Sequence, residues 1–254
     1  MTAGSPGLGG SRVDGVLFDI DDTLVDTRGA FGAALEQIVT TYLPQAAGRQ
    51  DEVLAHWRAD VDGHYARYTR AELGYREQRM ARANALHAEF GGAVLDEASY
   101  AAWDEVFEAG FSSAWTAHAE AAAAVDVLIS SGVAVGALSN AGTAYQTSKL
   151  ERVGLGARVP MLVGVDTLGV GKPDPAVFLE ACRRLGTVPA RTVYVGDELD
   201  VDARAAVEAG LLGVWVDRPG PRRTEISEDE VQAARALGVA VVRSLSELPG
   251  LLGR

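Results

Sequence analysis

Two carboxylates stand at i and i+2 in Asp19-Ile20-Asp21, with Asp22 and Thr23 directly behind them. Crowded carboxylates repel one another, so ionising all of them is costly unless a cation, a basic side chain or a retained proton relieves the strain. A carboxylate held in that way can act as a nucleophile, and a neighbour that keeps its proton can act as a general acid and then a base. Three later stretches carry further polar groups: Ser139-Asn140, Lys172-Pro173-Asp174-Pro175, and Gly196-Asp197 with Asp200 and Asp202. They offer a hydroxyl, an amide, an ammonium and more carboxylates. The chain has two lysines, Lys149 and Lys172, against 21 arginines. In a chain that defaults to arginine, a lysine marks a place where a compact ammonium is needed.

These groups stand at the ends of apolar runs. Val16-Leu17-Phe18 leads into Asp19, Val133–Leu138 into Ser139, and Thr192–Val195 into Gly196-Asp197, while Met161–Val165 precedes the Lys172 turn. Short continuous apolar runs read as strands buried on both faces of a parallel sheet. Helical patterns at Glu120–Ser131, Thr143–Val153, Pro175–Leu185, Asp202–Ala209 and Ser227–Leu237 alternate with them, and strand–helix alternation predicts a doubly wound α/β sheet. Such a sheet turns all its C-terminal strand ends to one side, where separated polar groups can converge. The region after the first strand differs. Phe31, Ala34, Leu35, Ile38 and Tyr42 fall at helical spacing, and the helical pattern continues to about Gly110 with breaks near Gly74 and Gly91-Gly92. The predicted fold class is therefore α/β, a Rossmann-like doubly wound parallel sheet over 13–27 and 114–254, with an inserted all-helical domain over 28–113.

Composition narrows the function. The chain has 254 residues, 48% of them hydrophobic, enough for a sizeable core. Its net charge of −12 argues against nucleic acid or an anionic membrane as a partner. Its single cysteine, Cys182, excludes an internal disulfide framework and fits a reducing cytoplasm. Cys182 lies on an apolar helix face and reads as core. Residues 1–12, rich in glycine and serine, read as a flexible tail, and no apolar run reaches the ~20 residues of a membrane span. Lys149 reads as a charge on a helix surface. Arg218, Arg222 and Arg223, in a Pro/Gly loop, read as solubilising. His56, His64, His87 and His118 lack paired metal spacing.

The four polar stretches, in this order and spacing, resemble the motifs of the haloacid dehalogenase-like superfamily of phosphatases, and the similarity runs from about Asp14 to Leu248. Asp19-Ile20-Asp21-Asp22-Thr23 matches the first motif, Leu138-Ser139-Asn140 the second, Lys172-Pro173-Asp174-Pro175 the third, and Gly196-Asp197 with Asp202 the fourth. The helical insert resembles the family's type-one cap, a lid over the active site. The resemblance implies a Mg²⁺-dependent phosphatase acting on a small phosphomonoester, such as a sugar phosphate, a phosphoglycolate-like acid or a nucleoside monophosphate. It implies Asp19 as nucleophile, Asp21 as general acid–base, and Lys172 as the cation that neutralises the phosphoryl oxygens. Ser139 and the backbone N–H of Asn140 would hold the phosphoryl group, with Thr23 supporting the first loop. The metal would be held by the carboxylates of Asp19 and Asp197 and the backbone carbonyl of Asp21, with Asp202 holding metal-bound water and Asp200 its competitor. Arg76 and Arg79, after the Gly74 break, are candidate substrate contacts in the cap. A phosphomutase, a 2-haloacid dehalogenase or a non-catalytic regulatory module are the alternatives, and the protein would be a monomer or homodimer. Asp21 argues against the dehalogenase, because a halide leaves without a proton.

Overall fold

The computed structural model describes residues 12–220 and 225–254. Residues 1–11 of the tail expected over 1–12, and Arg222 and Arg223, lie outside the described residues. Two compact units are present: residues 12–25, 117–220 and 225–254 form one, and Asp26–Thr116 the other.

The first unit is built on six parallel strands: β1 (Gly15–Phe18), β2 (Ala134–Leu138), β3 (Met161–Val163), β4 (Thr192–Gly196), β5 (Leu212–Val216) and β6 (Ala240–Val242). Their order is β3-β2-β1-β4-β5-β6, and every pairing is parallel. The order reverses at β1, so the strand that carries the two carboxylates lies at the crossing point where such sheets open a crevice. Strand β1 has no solvent-exposed residue at its centre. Val16 and Phe18 face one core cluster, with Val125, Leu128 and Leu150, while Leu17 faces another with Phe178, Cys182 and Tyr194. Burying each of these β1 side chains stabilises the fold by about 1.5–3 kcal/mol. Cys182 is buried in the core as its position in the sequence predicts.

Helices α6 (Ala121–Ser130), α7 (Thr143–Arg152), α8 (Pro175–Leu185), α9 (Ala205–Glu208), α10 (Glu228–Ala236) and α11 (Leu248–Leu251) complete this unit; α1 to α5 belong to the other. Asp174 caps α8 by accepting from the Ala176 N–H at 2.8 Å, with Pro175 in its first turn. One element departs from expectation. The helix expected over Asp202–Ala209 begins earlier as a widened turn, Leu199–Arg204, and becomes α-helical only at Ala205. The wide turn has a local cause: the Asp202 carboxylate folds back to accept from the Glu198 N–H at 3.0 Å.

The second unit comprises α1 (Thr27–Tyr42), α2 (Gln50–Ala59), α3 (His64–Thr69), α4 (Tyr75–Phe90) and α5 (Glu97–Ser113). Helices α1 and α5 approach closely at Gly110, where a Cβ would lie 2.9 Å from Ala34 Cα. Aromatic rings fill the interior: Phe31 stacks on Phe111 with centroids 4.5 Å apart, and Phe107 lies 5.0 Å from Trp57 and 5.2 Å from Trp103. Among the described residues, no helix is long and apolar enough to cross a membrane.

Candidate active site

Strand register brings the motif residues level. Phe18 pairs with Ala137 on one side and with Val195 on the other, so the next residues along, Asp19, Leu138 and Gly196, share one layer at the sheet's C-terminal edge. The Asp19 N–H donates to Val195 O at 2.8 Å, and the Ser139 N–H to Val163 O at 3.0 Å. Beyond Asp19 the chain makes a tight turn. The Leu24 and Val25 N–H groups return to Ile20 O, and Asp22 takes φ 58°, a conformation aspartate tolerates better than most residues.

Lys172 is the centre of the cluster. Its Nζ donates to Asp19 Oδ1 at 2.6 Å, to Asp202 Oδ1 at 2.7 Å and to the Tyr194 hydroxyl at 2.7 Å. Its backbone is fixed by Asn140, whose amide accepts from Lys172 N at 2.6 Å and donates to Lys172 O at 2.9 Å. Asn140 therefore ties the second motif to the third through its side chain. The Tyr194 hydroxyl donates to Leu138 O at 3.0 Å, so strand β4 also helps to place the ammonium.

Charge is unbalanced here. Carboxylate oxygens of Asp19, Asp197 and Asp202 lie within 4.8 Å of one another, and Lys172 is the ammonium paired with two of them. Burial, reinforced by Asp202 and Asp21 and opposed by Lys172, pushes the Asp19 carboxyl up to about 8. Burial, with Asp22, Glu198, Asp202 and Asp19 adding to it, holds Asp197 well above the usual carboxylate range. Lys172 moves up as well, because Asp19 and Asp202 outweigh the burial that opposes its charge. One ammonium among three clustered carboxylates leaves a deficit that a divalent cation would fill, and hard oxygen donors suit such an ion. The donor set thus fits a metal. Asp200 is exposed and accepts from its neighbour's Val201 N–H, whereas Asp202 is buried in the cluster. Of the two, Asp202 is the one that lies within the carboxylate cluster. Gly196 has a spatial reason: a Cβ there would collide with the Asp202 carboxyl. Glu198, half-buried, bears on Asp197 through its charge.

Thr23 is fully buried, and its hydroxyl has no hydrogen-bond partner among the described residues. Ser139 Oγ accepts from Gln146 Nε2 at 2.8 Å and from the Ala141 N–H at 3.2 Å. Arg76 and Arg79 lie on α4 in the helical unit. Arg76 is exposed and pairs with Glu97 at 2.9 Å, while Arg79 is buried and pairs with Glu108.

Two expectations are corrected. Lys149 is not a surface charge: it is 1% exposed, and its Nζ lies 2.6 Å from Asp21 Oδ1. The face of α7 that carries it begins just behind Ser139-Asn140, so a long basic side chain there reaches the strand ends. Its rarity in this chain was the signal. Arg218 is not merely solubilising. It donates to Asp22 O at 3.2 Å, to Thr23 O at 3.0 Å and to Glu120 Oε1 at 2.6 Å, clamping the turn after β1. His118 Nε2 adds a contact to Asp22 O at 3.2 Å. Tyr194 and Gln146 also belong to the site and carry no motif that would announce them.

Residues 13–210 match the family model "haloacid dehalogenase-like hydrolase". A glyceraldehyde 3-phosphate phosphatase of Methanothermobacter thermautotrophicus is 29% identical over 245 residues, covering 93% of this chain and 98% of the relative. A phosphoserine phosphatase of Thermus thermophilus is 29% identical over 235 residues, covering 84% of this chain and 93% of the relative. Among solved structures, the putative HAD-hydrolase YfnB from Bacillus subtilis superposes with a TM-score of 0.74 at 20% identity, covering 96% of this chain and all of that one. The chain therefore belongs to the haloacid dehalogenase-like hydrolases, as an enzyme of their phosphatase type.

Proposed function

We propose that this enzyme hydrolyses a small phosphomonoester, with Mg²⁺ as cofactor and an aspartyl-phosphate as intermediate. The observation that carries the reading is the pairing of buried Asp19 with Lys172 at 2.6 Å, two residues before a second carboxylate at Asp21. In the first step an Asp19 carboxylate oxygen attacks phosphorus, the bond from phosphorus to the leaving oxygen breaks, and Asp21 donates the proton that the leaving alkoxide takes. In the second, Asp21 removes a proton from water as that water attacks the same phosphorus, releasing phosphate and restoring Asp19. Lys172 neutralises charge on the transferring phosphoryl oxygens, and Ser139, the Asn140 N–H and the Thr23 hydroxyl hold and support that group; positioning and charge stabilisation are most of what phosphoryl transfer needs. The carboxylates of Asp19 and Asp197 and the Asp21 carbonyl would hold Mg²⁺, which supplies further charge neutralisation, with Asp202 oriented from behind by Lys172.

The relatives' named substrates, glyceraldehyde 3-phosphate and phosphoserine, favour a three-carbon or sugar-like phosphate. Both arginines proposed as substrate contacts are ion-paired, and Arg76 ranks first because it is exposed whereas Arg79 is buried. The single cysteine fits a cytoplasmic setting. The test is a phosphate-release screen over small phosphomonoesters, with and without Mg²⁺, using Asp19→Asn as the blank. Release that requires both Mg²⁺ and Asp19 is expected. A folded protein that releases no phosphate from any of them would defeat the reading.

A further inference from the structure

Two residues of α7 grip Asp21. Lys149 Nζ donates to its Oδ1 at 2.6 Å, and Gln146 Nε2 donates to its Oδ2 at 2.6 Å. The same Gln146 nitrogen lies 2.8 Å from Ser139 Oγ. Gln146 and Lys149 are three residues apart, so they share one face of α7, and their exposures are 0% and 1%. Burying a long ammonium costs several kcal/mol of desolvation, and an apolar pair of similar size would stabilise a fold as well or better. A purely structural account therefore leaves unexplained why both polar groups end on one carboxylate. It also leaves unexplained why the chain places its two lysines on Asp19 and Asp21.

We infer that Gln146 and Lys149 are positioning residues for proton transfer: they hold the Asp21 carboxyl in one orientation and tie it, through Gln146, to the Ser139 hydroxyl beside the phosphoryl group. The inference rests on the phosphatase reading above, in which Asp21 serves the leaving group. Neither residue touches substrate. Each Asp21 oxygen accepts one of these bonds, so together they fix the plane of the carboxyl that gives up the proton, which is worth little when the leaving oxygen departs easily and much when it does not.

The consequence is a split between substrates. A p-nitrophenolate leaves without a proton, whereas an alkoxide needs one. The ratio kcat/KM reports only the steps up to aspartyl-phosphate formation, so it isolates the acid role. Lys149→Met and Gln146→Leu are measured beside Asp21→Asn and the unaltered enzyme, with p-nitrophenyl phosphate and an alkyl phosphomonoester such as glycerol 3-phosphate. In both variants kcat/KM is expected to fall about 30- to 100-fold on the alkyl ester and less than about fivefold on the aryl ester, a fraction of the 10²–10⁴ that general acid catalysis supplies. Asp21→Asn should show the same split, enlarged. Equal losses on both esters, or no loss on either, would overturn the inference. If Lys149→Met fails to fold, Gln146→Leu, which removes no charge, decides alone. The alkyl ester is one that the unaltered enzyme hydrolyses in the screen above, so a screen with no release defeats the phosphatase reading, whereas a split in Asp21→Asn without one in the α7 variants defeats only the inference.

Discussion

The α/β unit and the helical unit both bury cations, but of different kinds. In the α/β unit they are lysines: Lys172 touches Asp19, Asp202 and Tyr194, and Lys149 touches Asp21. In the helical unit they are arginines set among rings. The Arg79 guanidinium lies 4.3 Å from the Phe107 ring centroid and pairs with Glu108 and Asp104, and Arg82 lies 4.2 Å from the Trp57 ring and 3.5 Å from Asp60. The planar guanidinium stacks on aromatic faces and fixes its acids in a fork, which suits a frame. An ammonium is a point charge whose donors serve oxygens lying in several directions, which suits carboxylates that must change partners during a reaction. The same cost of buried charge is thus met by packing in one unit and by chemistry in the other.

The largest effect that tests this contrast is at Asp19. Asp19→Asn should lower phosphate release by roughly four orders of magnitude or more, with circular dichroism unchanged, because the nucleophile proposed above has no substitute. Next comes the direct comparison of cations. Lys172→Met should lower kcat/KM by about 10²- to 10³-fold. Arg79→Met should instead cost about 2–3 kcal/mol of stability, by stranding Glu108 and Asp104, and change kcat/KM by less than about tenfold. Urea unfolding and kinetics on the same preparations check both, and an Arg79 variant as inactive as the Lys172 variant would break the contrast.

A smaller effect is expected from the metal. Saturating Mg²⁺ at about 100 times its Kd should stabilise the protein by about 2.7 kcal/mol. A thermal melt should show this as a rise that Arg79→Met retains and Asp197→Asn loses. The smallest effect sharpens the picture of the helical unit. Buried His87 donates from Nδ1 to Ala93 O at 2.7 Å, while its Nε2 has no partner among the described residues. Burial, only partly opposed by that carbonyl, holds its imidazole below the ordinary value of 6.5. The unfolded chain therefore takes up a proton that the folded one resists, so this part of the stability is present above pH 6.5 and is lost as pH falls below it. His87→Gln should flatten the decline in melting temperature between about pH 7.5 and 5.5 relative to the unaltered protein. An unchanged slope would remove His87 from the account.

Much of this molecule is legible in one dimension. Apolar runs ending in Asp19, Ser139 and Gly196 dictate buried parallel strands, because a strand covered on both faces leaves polar residues only at its ends. The resemblance of the four motifs to those of the family then singles out Asp19, Asp21, Lys172, Asp197 and Asp202 as candidates. Beyond Lys172, tertiary structure decided which basic residues meet the turn after β1. Lys149 sits at an ordinary helical position, and only the packing of α7 against the sheet at β3 turns it inward to Asp21. Arg218 follows β5 in a loop that reads as solvent-exposed, yet the loop brings it across the chain to the carbonyls of Asp22 and Thr23. Periodicity reports which face of an element is apolar, and so it misplaces a charged side chain whose partner arrives from a distant strand. The partner is what makes the burial affordable, and the partner is a matter of three dimensions.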